Sequence, residues 1–142
     1  MGLTQILPST AKDLGVKNPN HLYQPQVSIK AGATYLQQLI DYWEPILKDS
    51  TEAVNFALAS YNTGKGHVID ARKLEAKYGN NENVWFGNVE LMLLKKSNPK
   101  YFNDPVVKYG YCVGKEPVQY VSNINEYYEA FKNYTFEKTN IK

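Results

Sequence analysis

Residues 54–68 read VNFALASYNTGKGHV, an apolar helical stripe that runs into a turn with two glycines. Apolar residues recur there at steps of three and four, the spacing of one helix face, at Val54, Ala57, Leu58 and Tyr61. Gly64 and Gly66 permit the positive backbone angles of a tight turn, so the helix is expected to end before them. Ser50 or Thr51 is the expected N-cap of this helix.

The same period continues on both sides of this segment. A long helix is predicted from near Val27, kinked or ended by Pro45, with its stripe at Leu36, Leu39, Ile40, Trp43 and Leu47. A third helix follows the turn and closes at residues 79–81, with a buried face at Val68, Ala71, Leu74 and Tyr78. A short fourth helix is indicated by Trp85, Val89, Met92 and Leu93.

The last helix has the clearest pattern. Pro117 suits a first helical position, and a core stripe is expected at Val118, Val121, Ile124, Tyr128 and Phe131. No core strand is predicted, because no run alternates with period two for long enough. Residues 97–115 form one long aromatic loop, and a connection of that length is usually functional or mobile. The sequence therefore predicts a single all-α domain over residues 1–134 and a C-terminal tail over 135–142.

Composition excludes several classes of protein. The 142 residues carry a net charge of +2 from 16 basic and 14 acidic side chains, too balanced to favour nucleic acid. Cys112 is the one cysteine, which leaves no internal disulfide, and His21 and His67 are too far apart in sequence to form a metal-binding cluster. No apolar run approaches the roughly 20 residues of a membrane span, and no signal peptide follows Met1.

Two groups of residues could bind a ligand. One shares a face of the last helix, beside its core stripe, and consists of Glu116, Tyr120, Asn123 and Tyr127. A carboxylate, an amide and two phenols in line suit a saccharide, although a solvated polar face would show the same spacing. The other is Tyr61 with Asn62 at the glycine turn, where Asn62 could instead serve only the turn conformation.

Other chemistry finds less support. The Gly64–Gly66 run lacks the spacing of a phosphate-binding loop, and no serine or cysteine lies in a nucleophile motif. A glycosidase needs a carboxyl group whose pKa is raised by an apolar pocket. The sequence does not distinguish among the candidates, which are Asp41, Asp70, Glu90 and Glu116.

Four segments resemble the lytic transglycosylase catalytic domain, the lysozyme-like module that cleaves bacterial peptidoglycan. GLTQILPSTA at 2–11 is similar to the family's Gly-Leu-Met-Gln-Ile-Met-Pro-x-Thr-Ala motif, and SIKAGATYL at 28–36 to its second block. ALASYNTGKGHV at 57–68 resembles the Ala-Tyr-Asn-x-Gly-x-Gly block, and EPVQYVSNI at 116–124 the closing helix. The continuation to Arg72 and the Tyr-Gly-Tyr at 109–111 look most like the membrane-bound F-type branch.

The resemblance implies a lysozyme-like fold and roles for particular residues. Gln5, Tyr61 and Asn62 would line the glycan cleft, Glu116 would contact sugar or stem peptide, and Tyr120 would orient the catalytic acid. In the family, one glutamate protonates the oxygen between N-acetylmuramic acid and N-acetylglucosamine. It then acts as base on the C6 hydroxyl, which closes a 1,6-anhydro ring. The reaction needs no metal and no cofactor.

One departure from the family is expected to matter. The family's glutamate belongs to a Glu-Ser helix that precedes the Gly-Leu-x-Gln motif, and no Glu-Ser pair occurs in the 142 residues. The chain is expected to be a truncated form of an enzyme that lacks this first helix. The alternatives are a glycan-binding relative without the glutamate, a pseudogene product, and a domain completed by another chain. An uncovered apolar gap would destabilise the monomer or be covered by a second copy.

The expected function is therefore that of a peptidoglycan lytic transglycosylase domain, inactive as this chain, with a non-catalytic glycan-binding module as the alternative. A hydrolase that admits water and a helical scaffold without ligand rank below these. Peptidoglycan glycan strands are the expected partner, with no nucleic acid, no membrane segment in the chain and a homodimer over the gap. An extracytoplasmic location follows from the substrate alone.

Overall fold

The computed structural model describes the backbone of residues 25–140 and the side chains of residues 28–135. This part of the chain forms six α-helices and no strand, which confirms the all-α prediction for it. In chain order the helices are α1 (Pro25–Leu47), α2 (Ser50–Thr63), α3 (Lys65–Tyr78), α4 (Glu90–Lys95), α5 (Pro99–Phe102) and α6 (Lys115–Asn140).

Helix α2 lies at the centre and packs against α1, α3 and α6. Small side chains at Ala53, Ala57 and Ala59 are fully buried, which lets the neighbouring helices approach closely. The Phe56 ring lies 5.1 Å from Trp43 of α1 and 5.7 Å from Trp85, measured between centroids. These three aromatic rings form the middle of the hydrophobic core.

The ends of α1 and α2 differ in detail from the sequence prediction. Pro45 lies in the last turn of α1, and the helix ends two residues later at Leu47. The N-cap of α2 is Asp49, not Ser50 or Thr51, and its carboxylate accepts from the backbone N–H of Glu52 at 3.1 Å. All three residue types cap helices well, so the sequence could not distinguish adjacent positions.

Helix α3 starts directly after Gly64, whose φ of 103° lies in the region that favours glycine. Its predicted face is buried at Val68, Ala71 and Leu74, whereas Tyr78 is 48% exposed and that prediction is wrong. The Tyr78 hydroxyl donates to Asp104, and its ring packs edge-on against Tyr101. The Tyr78 phenol therefore lies in polar surroundings at the end of α3 and does not enter the core.

The predicted fourth helix forms as α4, preceded by a wide turn over Trp85–Val89 in which Gly87 has a φ of 75°. The long loop predicted over 97–115 contains the short helix α5. Its later part packs on the core through Val106, Val107 and Cys112. The Cys112 thiol is buried, as expected of a packed cysteine rather than a nucleophile.

Helix α6 begins at Lys115, so Pro117 lies inside its first turn rather than at its first position. Val121 is buried and Val118 and Ile124 pack partly against the core, but Tyr128 and Phe131 are 63% and 69% exposed. The expected core stripe is therefore wrong in its second half. The helical period correctly predicted the core-facing side of α6 at Val118, Val121 and Ile124. Further along the helix, the described part of the chain does not bury this side at Tyr128 and Phe131. The helix also continues through residue 135, where the C-terminal tail was expected to begin.

Candidate functional site

Two contacts show how α2 and α6 lie against each other. The Asn125 side-chain amide donates to the Asn55 side-chain oxygen at 3.0 Å, and Thr63 Oγ1 lies 3.3 Å from Cys112 Sγ just before α6 begins. The end of α2 therefore lies beside the start of α6, and the two helices run antiparallel. With about 1.5 Å of rise per residue, Tyr61 is about 9 Å along α2 from Asn55, and Tyr120 about 7.5 Å along α6 from Asn125. Tyr61 and Tyr120 come to nearly the same level.

The α2 side of this site carries two of the predicted residues. Tyr61 is half-buried and packs partly on the core, with its ring 5.6 Å from the Tyr35 ring of α1. Burial raises the pKa of the Tyr35 phenol above its ordinary value. Asn62 is exposed in the last turn of α2, where its amide is accessible to a ligand.

The α6 side carries the other predicted residues of the described region. Tyr120 is half-buried against the core, and burial raises the pKa of its phenol, which stays protonated at neutral pH and can donate a hydrogen bond. Glu116 is exposed in the first turn. Asn123 accepts from the Gln119 amide at 2.9 Å, and Tyr127 is exposed. Gln5 lies outside the described residues.

A buried ion pair lies next to this end of the molecule. Lys96, which directly follows α4, and Asp70 of α3 are both fully buried, with Lys96 Nζ 2.8 Å from the Asp70 carboxylate and 2.8 Å from His67 Nδ1. The ammonium group can donate to Nδ1 only when that nitrogen is unprotonated. Burial and the Lys96 charge lower the pKa of His67, which favours that neutral form.

The Asp70 carboxylate also holds the aromatic loop. Its two oxygens accept from the backbone N–H of Lys108 at 2.9 Å and of Tyr109 at 2.8 Å. Asp70 was one of four carboxylates that the sequence could not separate, and here it is a structural anchor rather than an exposed acid. We name Asp70, Lys96 and His67 the loop anchor. Sequence reasoning missed this role because its partners lie far away along the chain.

A second polar cluster holds the start of the same loop. Asp104 accepts from Tyr78, from the Val106 backbone N–H at 3.0 Å and from Lys77 Nζ at 2.9 Å. These donors, with Tyr78 the strongest, lower the pKa of Asp104 to about 2. The loop is therefore tied to α3 at two levels, through Asp70 and through Asp104.

An apolar groove lies between α2 and α6, beyond the level of Tyr61 and Tyr120. It has a volume of about 380 Å³ and is lined by Ser50, Thr51, Val54, Asn55, Leu58, Ile124, Asn125 and Tyr128. Val54 belongs to the predicted apolar stripe of α2, and it is 39% exposed where it lines this groove. The groove continues the row of predicted site residues along the same pair of helices.

Within residues 28–135 there is no group of three or more His, Cys, Asp or Glu side chains placed to hold a metal ion. The helices of the described region include none that is long and apolar enough to cross a membrane.

Comparison with known proteins identifies the family to which this helical arrangement belongs. The family model described as the transglycosylase SLT domain matches residues 1–84, more than half of the chain. The chain belongs to this family. The matched range covers α1 to α3 and includes Tyr61 and Asn62, the two site residues on α2.

Similar curated proteins extend the likeness of this SLT domain through most of the chain. "Membrane-bound lytic murein transglycosylase F" of Photobacterium profundum is 40% identical over 133 residues, which are 94% of this chain and 24% of that protein. The protein of that name from Shewanella pealeana is 41% identical over 129 residues, or 91% and 26%. The one from Aeromonas hydrophila is 37% identical over 129 residues, or 91% and 25%. The chain spans about a quarter of the length of these relatives.

Proposed function

We propose that the chain binds peptidoglycan glycan strands at the shared end of α2 and α6, as part of a lytic transglycosylase site. The observation that carries this proposal is the antiparallel packing of α2 and α6, which brings Tyr61 and Asn62 to the level of Glu116 and Tyr120. Phenols offer flat apolar faces and a hydroxyl donor, while amides and carboxylates match the hydroxyl groups at sugar edges. Membership of the SLT family supplies the substrate class.

The reaction of the complete site is cleavage between N-acetylmuramic acid and N-acetylglucosamine with formation of a 1,6-anhydro ring. One glutamate acts first as the acid and then as the base, and it needs a pKa near neutrality. Tyr120 is suited to orient that carboxyl group, because its half-buried phenol remains a donor at neutral pH. Asn62, Tyr61 and Gln5 would hold the sugars, and Glu116 would contact sugar or stem peptide at the edge of the cleft.

The 142 residues on their own are proposed to bind glycan without cleaving it, because they contain no Glu-Ser pair. This favours the non-catalytic binding module as the second candidate function for the isolated chain. General acid–base catalysis typically contributes about 10²–10⁴-fold, and that contribution would be missing. Binding would remain, because Tyr61, Asn62, Glu116 and Tyr120 are all present.

The groove between α2 and α6 suits the family's acid-bearing helix. It lies between the same two helices as the proposed site, and its apolar residues Val54, Leu58 and Ile124 would pack on the apolar side of such a helix. In the lysozyme-like fold this helix lies in the centre of the domain. A second copy of the chain is the alternative occupant of the same surface. Sedimentation of the chain at several concentrations tests this, since a monomer at all concentrations would contradict the dimer.

Digestion of purified sacculi separates the candidate functions. The chain is incubated with sacculi, and the soluble products are analysed by mass spectrometry. Binding of the chain to sacculi without release of products supports the binding module, while anhydro-muropeptides would show that these residues suffice for catalysis. Products with reducing ends would instead indicate hydrolysis. An extracytoplasmic location is proposed from this substrate.

Two variants test the site itself, together with a matched control. Tyr61→Ala and Tyr120→Phe are expected to weaken binding to sacculi, because they remove a ring face and a hydroxyl donor at the proposed cleft. Phe131→Ala removes an exposed ring of α6 away from that end and should leave binding unchanged. If both Tyr variants bind sacculi as strongly as the wild type does, the proposed cleft is wrong. A helical scaffold without a ligand at this site would then be the better explanation.

A further inference from the structure

We infer that Tyr109 is an additional sugar-binding residue, whose ring is fixed beside the Tyr61–Asn62 turn by the loop anchor. This inference rests on the proposed function and extends the site to the aromatic loop. Three features carry it: the position of the ring, its exposure, and the rigidity of its backbone.

The ring lies directly against the glycine turn that follows Asn62. A methyl group added at Gly66 would lie 2.7 Å from two carbons of the Tyr109 ring, so glycine is required for this close packing. The His67 ring also packs edge-on against the Tyr109 ring, at 6.5 Å between centroids. Further along the loop, Cys112 contacts Thr63 of the same turn. The loop therefore runs past the α2 end of the candidate site.

Tyr109 remains 50% exposed although its ring packs against Gly66 and His67. Sugar rings bind to such flat faces through their C–H groups, and tyrosine adds a hydroxyl that can bond to a sugar edge. The Lys108 ammonium lies over the same ring, 5.6 Å from its centroid, and adds a positive charge next to it. A ligand with sugar rings and carboxylate substituents fits this combination.

The backbone of Tyr109 is held before any ligand arrives. Its N–H donates to Asp70, which is fully buried and paired with the equally buried Lys96. A group fixed in this way loses little conformational entropy on binding. Tyr111 is also exposed, but it packs edge-on against Phe102 of α5. It belongs to the same loop and is therefore a suitable control.

The test measures binding of soluble glycan strands, released from sacculi by an amidase, to the full chain and three variants. Tyr109→Leu keeps apolar bulk over Gly66 but removes the flat ring, and we expect about fivefold weaker binding. Tyr109→Phe keeps the ring and should stay within about twofold of the wild type. Tyr111→Leu makes the same change elsewhere on the loop and should bind as the wild type does.

A spectroscopic measurement keeps the inference testable if Tyr109→Leu does not fold. The wild-type chain is labelled with ¹³C-tyrosine, and the Tyr109 ring signal is assigned from its loss in Tyr109→Phe. Titration with the glycan strands should shift this signal and leave that of Tyr78, which is held by Asp104, in place.

The outcomes separate this inference from the proposed function. A wild-type chain that does not bind glycan strands overturns both. Binding with an unchanged Tyr109 ring signal, or equal binding by a folded Tyr109→Leu variant, overturns the role of Tyr109 and leaves the proposed site at Tyr61 and Tyr120 intact.

Discussion

Replacing Lys96 by methionine should strongly destabilise the fold. The change removes the ammonium group from a fully buried pair, in which Lys96 Nζ lies 2.8 Å from Asp70 and 2.8 Å from His67. The Asp70 carboxylate would stay buried with two backbone donors and no counter-charge. Breaking a buried pair from one side costs about 3–5 kcal/mol, a large part of the stability of a domain of this size.

Urea unfolding followed by tryptophan fluorescence measures this loss, since Trp43 and Trp85 are both buried and report on the core. Lys100→Met makes the same chemical change at an exposed position and should alter the free energy of unfolding by less than about 0.5 kcal/mol. Asp70→Asn and the double variant complete a cycle, in which the double loss should be smaller than the sum of the single losses. If Lys96→Met costs less than about 1 kcal/mol, the reasoning from burial is wrong.

Three further changes test other parts of the structure. Gly79→Ala should cost about 1–3 kcal/mol in urea unfolding, because a methyl group there would collide with the Glu75 carboxyl group and displace its bonds to the N–H groups of Asn80 and Asn81. An unchanged free energy of unfolding would contradict this contact. Hydrogen bonds lower the pKa of Asp104 from 3.8 to about 2. Its contribution to stability is therefore present above pH 3.8 and is lost as the pH falls towards 2. The free energy of unfolding of Asp104→Asn should depend less on pH between these two values than that of the wild type. The pKa of His67 is held below 6.5 by burial and Lys96, with Asp70 acting in the opposite direction and the Tyr109 ring packed alongside. As the pH falls, His67 is therefore protonated in the unfolded chain before it is protonated in the folded chain. The free energy of unfolding of the wild type should decrease below pH 6.5, and that of His67→Gln should decrease less. Equal dependence on pH in the two proteins would contradict this prediction.

Local pattern predicted the helices, because period and turn residues are properties of neighbouring positions. It failed where burial depends on a distant element. Tyr78, Tyr128 and Phe131 lie on the predicted faces, yet all three are exposed, and Tyr78 contacts Asp104 and Tyr101 instead of the core. Val54 is also exposed, at the groove between α2 and α6.

The candidate site was predictable only in part for the same physical cause. Tyr61 and Asn62 stand next to a visible turn, and Tyr120 shares a helix face with Glu116, so spacing singled them out. Asp70 looked like any other carboxylate, because its partners lie directly after α4 and on the loop at 108–109. Tyr109 was singled out only as part of an aromatic loop and of the Tyr-Gly-Tyr at 109–111, and neither pattern indicated a contact with the Tyr61–Asn62 turn.

The loop anchor also explains why this end of the fold contains a buried charge where an apolar side chain would often be as stable. Buried ion pairs can be replaced by well-packed apolar residues without loss when nothing else depends on them. Here the Asp70 oxygens also accept from Lys108 and Tyr109, two backbone N–H groups that an apolar substitute would leave unpaired. A carboxylate with two oxygens can serve both N–H groups, and Lys96 supplies the counter-charge that its burial requires. The buried Asp70 carboxylate is therefore needed to hold the backbone of the loop, and the loop in turn positions Tyr109 beside the Tyr61–Asn62 turn.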